Sequence, residues 1–184
     1  MSDEKIRAEL IHGTIIVWDI GKGRELYRAG FYGKPLGISK PKSPDFDAPL
    51  ILDIIEAIYL VEKGKLEIYE GERRLDVEEL MEYAKEHYEK FDERYLAYKD
   101  LRERGFIVTP GIKFGSDFAV YKLGPGLEHA PFIVQVKSSD ENISALEIIR
   151  SGRLATTVRK YFTIAIPDVG SKKVTYVLFE WWRA

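Results

Sequence analysis

The sequence predicts an α+β protein in two parts, a small N-terminal antiparallel sheet with helices and a C-terminal mixed sheet with flanking helices. Three observations lead there. Short runs of β-branched and aromatic residues, set off by glycines, occur in both halves, as strands require. Asp76 with Glu79, and Ser144 with Glu147, have the three-residue spacing of a capping box, the mark of a helix start. In the second half, strand and helix runs intermix, which favours a sheet with helices packed on it.

In chain order, residues 8–32 read as strands. Leu10, Ile11, Ile15, Ile16, Val17 and Trp18 supply the apolar runs, and Gly13 and Gly21 to Gly23 the punctuation. The segment from Gly33 to Pro49 has four prolines and reads as a loop, with Lys34, Lys40 and Lys42 ahead of its first acid, Asp45. Asp47 then has the character of an N-cap, with Pro49 in the first turn, for a helix over about 48–62. Gly64 is placed to stop it, and Leu66 to Tyr69 reads as a short strand. Asp76 opens the next helix, whose Val77, Leu80, Met81, Ala84 and Tyr88 line one face. Asp92 is expected to cap a third helix running toward Gly105.

Between His87 and Asp92 the chain is expected to divide, into an N-terminal domain of residues 1–90 and a second domain of residues 91–184. Past Gly105 the pattern is strand (Phe106 to Thr109), a Pro110-Gly111 turn, strand (Phe114 to Tyr121), a glycine-rich loop and strand (Phe132 to Val136). A helix from Ser144 to about Val158 follows. Tyr161 to Ile166 and Val174 to Trp181 close the chain as strands around a turn near Asp168 to Lys173.

Composition narrows the function. At 45% hydrophobic and 12% aromatic, the 184 residues can bury a core. The net charge of -2, from 28 basic and 30 acidic residues, argues against a general nucleic-acid coat protein. Local patches could still bind RNA. With no cysteine, disulfides, thiolate zinc sites and cysteine nucleophiles are excluded. The charged start MSDEKIRAEL has no signal-peptide character, and no apolar run is long enough to span a membrane, so the expected compartment is the cytoplasm.

The phosphate-binding loop, the GxSxG elbow and HExxH are all missing, and there are only three histidines, His12, His87 and His129. Asp117 followed by Gln135-Val136-Lys137 has the outline of a metal-dependent nuclease centre. Such a centre needs a second carboxylate where Gln135 stands. No cofactor and no metal are expected. The strongest signal runs from Gly111 to Lys160: GIKFGSDFAVY, then His129 after a Gly-Pro-Gly loop, then GRLATTVRK. Each residue alone has a plain reading. Tyr121 ends a strand, His129 lies in a loop, Lys160 complements a helix dipole, and Arg153 and Arg159 lie on a solvated face.

Together, these motifs resemble the catalytic domain of archaeal tRNA-splicing endonucleases. The family pattern is G-x-K-Y/F-G-x-D-F-x-x-Y, a histidine about eight residues on, and R-x-A-x-S/T-V-R-K; the closing FEWWRA resembles its Trp-x-Arg ending. The resemblance implies a nuclease-like C-terminal domain that cuts RNA with the substrate's own 2′-hydroxyl, leaving a 2′,3′-cyclic phosphate and a 5′-hydroxyl. By the same resemblance Tyr121 is the general base, His129 the general acid and Lys160 the group that stabilises the phosphorane. Histidine suits the acid because it titrates near neutrality, and a cation suits developing negative charge. A free phenol, with a pKa of about 10, is a poor base at neutral pH; a nearby Lys160 would lower it.

Arg153 and Arg183 match the arginines that clamp an extruded bulge base, a task suited to guanidinium planes. Lys40 and Lys42 resemble an insertion typical of crenarchaeal catalytic subunits and are expected to touch substrate phosphate. The implied substrate is precursor tRNA with a bulge-helix-bulge fold. The implied assembly is an α2β2 heterotetramer with a separate structural subunit, or alternatively a homotetramer. It would be built through the last strand and a docking loop for which Pro167 to Lys173 is the candidate. Two rival readings stay open: a non-catalytic, RNA-binding structural subunit, and a metal-dependent nuclease.

Overall fold

The computed structural model describes residues 5–38, 41, 43–157 and 159–180. The chain gathers into two units, Met1–Glu89 and Lys90–Ala184. The first runs β1 (Ile6–Ile11), β2 (Thr14–Val17), α1 (Ile20–Gly30), β3 (Lys34–Pro35), β4 (Leu50–Leu52), α2 (Ile54–Glu62), β5 (Leu66–Glu70), β6 (Arg73–Leu75) and α3 (Val77–His87). Its sheet has the order β3-β4-β2-β1-β5-β6. Alternate residues of β1, namely Ile6, Ala8 and Leu10, are buried, as a strand with one covered face requires. Ile54 to Leu60 of α2 are buried almost without a break.

The sequence expectation for this unit needs three corrections. The sheet is mixed rather than antiparallel, because β1 pairs in parallel with β5, Ile6 opposite Leu66. Parallel neighbours need a crossover, and α2 leads directly into β5 to complete it. Residues 20–30, expected as strand, form α1. Asp19 caps it by accepting from the Lys22 amide at 2.9 Å, and Gly21 and Gly23, read as punctuation, lie inside the helix. A Cβ at Gly23 would sit 3.1 Å from that of Leu50, so this glycine lets α1 approach β4. Finally, the next helix begins at Ile54, because residues 50–52 pair as β4 and Asp53, not Asp47, is the cap. Its capping box is closed by the buried Glu56, whose carboxylate also accepts from the Gly33 amide at 3.1 Å. The Asp76–Glu79 capping box forms as expected.

The second unit runs α4 (Phe91–Glu103), β7 (Ile107–Pro110), a 3₁₀ turn (Ile112–Phe114), β8 (Phe118–Tyr121), β9 (Phe132–Val136), α5 (Ala145–Thr157), β10 (Tyr161–Asp168) and β11 (Lys173–Phe179). The order is β11-β10-β9-β8-β7, with β9 and β10 parallel and every other pair antiparallel. The α+β class is therefore the observed one. Left-handed Lys90 holds the cap position of α4, and Asp92 sits in the first turn, where its charge favours the helix dipole. β8 is shorter than expected, because the 3₁₀ turn and a bend occupy the residues before Phe118.

Register divides the side chains of this sheet between two faces. Ala119, Ile133 and Phe162 stand in one row across β8, β9 and β10, and Ile133 and Phe162 pack with Ala155 of α5. Phe118, Val134 and Thr163 form the next row, on the opposite face, where Phe118 meets Tyr98 of α4 at 5.9 Å between ring centroids. The two helices thus cover the two faces. Where β9 ends, buried Lys137 bonds Glu141 and Glu147 at 2.7 Å each, and Lys90 bonds the other oxygen of Glu141 at 2.5 Å.

Those two lysines, Lys137 first, hold the Glu141 carboxyl down at about 2. A depressed carboxylate contributes stability that is fully present above its unfolded value of about 4.3 and disappears as pH falls through the folded value. Thermal unfolding between about pH 5 and about pH 2 is therefore expected to show a loss of stability that Glu141→Gln reduces. Superimposable acid profiles of the two proteins would show that the pair adds nothing.

Candidate active site

Tyr121 is the last residue of β8, opposite Ile107 of β7. Lys160 immediately precedes β10, and the Tyr161 amide donates to the Pro131 carbonyl at 2.8 Å, continuing the parallel ladder. One step beyond the row of Val120, Phe132 and Tyr161, the register brings Tyr121, Pro131 and Lys160 level. Tyr121 and Lys160 are then two strand spacings apart, about 10 Å between Cα atoms, on the face that α5 covers. The helix delivers Lys160 by its ending: Arg159 turns left-handed at φ 56°, and the Lys160 amide reaches back to the Ala155 carbonyl at 2.8 Å.

His129 lies exposed in the loop joining β8 to β9. Both of its chain neighbours are tied down. The Lys160 ammonium donates to the carbonyl of Ala130 at 2.6 Å. On the other side, the Glu128 carboxylate accepts from the amides of Lys122 and Leu123, the latter at 2.5 Å, directly after Tyr121. Lys160 also stands over the Phe114 ring, 4.9 Å from its centroid, and Phe114 packs on the core cluster beneath α5. The loop carrying Phe114 needs glycine at both ends. A Cβ on Gly111 would sit 2.5 Å from Ser116 Oγ and 2.8 Å from the Phe118 backbone, and Gly115 is left-handed at φ 62°.

The phenol of Tyr121 is pushed above its ordinary value, first by burial and then by the negative charge of Glu128, while a bond with the Thr109 hydroxyl pulls the other way. The shift runs opposite to the lowering that a close Lys160 would bring. Burial lowers the pKa of Lys160. Glu128 is held below the usual carboxylate range by its bonds to the Leu123, Lys122 and Gly124 amides.

Of the expected substrate-binding residues, Arg153 is exposed on α5, in its last turns and seven positions before Lys160 in sequence. Lys40, Lys42 and Arg183 lie outside the described residues. Asp117 and Lys137, the outline of a metal centre, are engaged elsewhere. Asp117 accepts from the Val136 amide at 2.7 Å and pairs with Arg94 at 2.9 Å, while Lys137 holds its two glutamates. Among the described residues, no three His, Asp or Glu side chains gather as a metal-holding group. Sequence reasoning passed over Glu128, Thr109 and Phe114 as contacts of the site. Phe114 stood within the motif itself; for Glu128, the one available signal was a carboxylate closing a glycine-rich loop.

The protein-family description "tRNA intron endonuclease, catalytic C-terminal domain" matches residues 91–176, and "tRNA intron endonuclease, N-terminal domain" matches residues 6–81. Among curated relatives, a tRNA-splicing endonuclease of Hyperthermus butylicus is 48% identical over 96% of this chain and 98% of its own length. One of Saccharolobus islandicus is 43% identical over 96% and 98%, and one of Sulfurisphaera tokodaii 44% over 94% and 97%.

Asp117→Ala is expected to cost about 1–3 kcal/mol in urea unfolding, because it strands the Val136 amide and the Arg94 guanidinium. Unchanged stability would mean that Asp117 is not the brace between β8 and β9.

Proposed function

This chain belongs to the tRNA intron endonuclease family and is an RNA endonuclease, and we propose that it cuts precursor tRNA at bulge-helix-bulge splice sites without a metal. The products are a 2′,3′-cyclic phosphate and a 5′-hydroxyl, the place of action is the cytoplasm, and residues 91–184 form the catalytic domain beside an N-terminal domain of residues 1–90. One observation carries the reading. The two chain neighbours of His129 are bonded one toward Tyr121 and the other to Lys160, so three separate motifs meet around one loop.

In this mechanism Tyr121 takes the proton of the 2′-hydroxyl, the freed oxygen attacks the adjacent phosphorus, and His129 protonates the departing 5′-oxygen. The Lys160 ammonium has three N–H groups and spends one on Ala130, so the others can meet the phosphorane oxygens. Arg153 and Arg183 stack on an extruded base, and Lys40 and Lys42 meet phosphate. The enzyme works as an α2β2 assembly with a separate structural subunit, or as a homotetramer. Support for assembly comes from β11, which lies at the edge of its sheet with Val177 and Leu178 exposed. In the proposed docking loop, Asp168 bonds the amide and hydroxyl of Ser171 within its own turn.

The test is cleavage of a bulge-helix-bulge RNA in excess EDTA, with and without a structural subunit. His129→Ala is expected to cut about 10²–10⁴-fold more slowly. Equal rates would remove His129 from the chemistry, and activity lost in EDTA but restored by magnesium would establish the metal-dependent reading.

The raised phenol sets the pH dependence. Only its deprotonated form can act as base, and burial makes that form scarcer at neutral pH than in a free phenol. Where the acid stays protonated, kcat/KM is expected to rise tenfold per pH unit. Once the acid begins to lose its proton the two protonation requirements offset, and the profile stays level until the phenol itself titrates, above the range of a free phenol. A decline already under way near about pH 8 would take the base role away from Tyr121.

A further inference from the structure

Resting on the reading just given, we infer that Glu128 is a positioning residue for RNA cleavage, fixing the separation between Tyr121 and His129 by clasping the loop that joins them. The loop has little else to hold it. Gly124, Pro125 and Gly126 form its bend, and Leu123 and Leu127 are 62% and 69% exposed, so apolar burial anchors the loop only beyond His129, at Ala130. Two backbone bonds at 3.2 Å, from the Leu127 and Glu128 amides to the Gly124 carbonyl, close the bend internally. They leave its orientation on the sheet open.

The Glu128 side chain supplies that orientation. From the residue next to His129 it reaches back to the amides of Lys122 and Leu123, the two residues that follow Tyr121. A carboxylate bridging two backbone amides acts as a clasp in which charge strengthens both hydrogen bonds. Lys160 fixes the other side of His129 through Ala130, so the His129 backbone is set between two anchors, only one of which is a proposed catalytic group.

The clasp carries a cost. Its negative charge is one of the groups that keep the Tyr121 phenol protonated. Tie and charge can be separated by substitution. Glu128→Gln keeps an oxygen that can accept from the amides and discards the charge, whereas Glu128→Ala discards both.

The experiment measures kcat and KM of the assembled enzyme on bulge-helix-bulge RNA for both variants, with hydrogen exchange of the segment holding Lys122 and Leu123. Glu128→Ala is expected to lower kcat about 10–100-fold, the loss that about 1 Å of misplacement brings. KM should stay within about threefold of wild type, since the loop aligns reacting groups rather than gripping the RNA. The same variant should exchange faster at Lys122 and Leu123, and Glu128→Gln should recover most of both effects. Wild-type kcat in Glu128→Ala would overturn the inference, as would an equal loss in the alanine and glutamine variants or a loss confined to KM. His129→Ala is run alongside. Its failure to slow cleavage would defeat the mechanism itself, whereas an impaired His129→Ala beside a fully active Glu128→Ala would defeat only the role of Glu128.

Discussion

Two strands that run the same way cannot be joined by a tight turn, and in the second unit that constraint falls on β9 and β10. The chain must leave β9, cross the sheet and return, and α5 is the means. Most of what matters about the site follows from how that crossover ends. The left-handed Arg159 stops the helix abruptly, and the next residue, Lys160, is delivered at the mouth of β10. There its ammonium finds the Ala130 carbonyl from 30 residues away in sequence and a phenyl ring below it. A looser end to α5 would leave the lysine free to swing and the Ala130 carbonyl without its donor.

Much of this was legible in the sequence, because the signals were local. The Asp76–Glu79 capping box is a contact between residues three apart, and it forms as the spacing requires. β9, β10 and β11 were recognisable from runs of β-branched and aromatic residues, near-continuous in β10 because both faces of the sheet are covered there. The misreadings came from tertiary demands. Gly23 looked like a break but is a close approach of α1 to Leu50, and nothing near it in sequence says so. Leu50 to Leu52 looked like the start of α2, but partners in β2 claimed them as strand.

The site divides along the same line. That Tyr121, His129 and Lys160 belong in one pattern could be read from motif order, whereas their electrostatics could not. The state of a phenol depends on how much water reaches it and on which charges stand nearby. Here burial and Glu128, seven residues away along a bent loop, act together to hold the proton on. A lowering by Lys160 would need the two groups close together, and one N–H of its ammonium is given to a main-chain carbonyl.

The division of the chain at residue 89 also has a consequence for how the protein is made. Among the described residues, each sheet draws all its strands from one continuous stretch of sequence. As the chain is made, every partner that β1 to β6 need has been translated before α4 begins. Even the parallel pairing of β1 with β5, the most distant in that half, is complete by Tyr69. The strands of the first sheet therefore all become available ahead of those of the second, and their edges need no later segment as a partner.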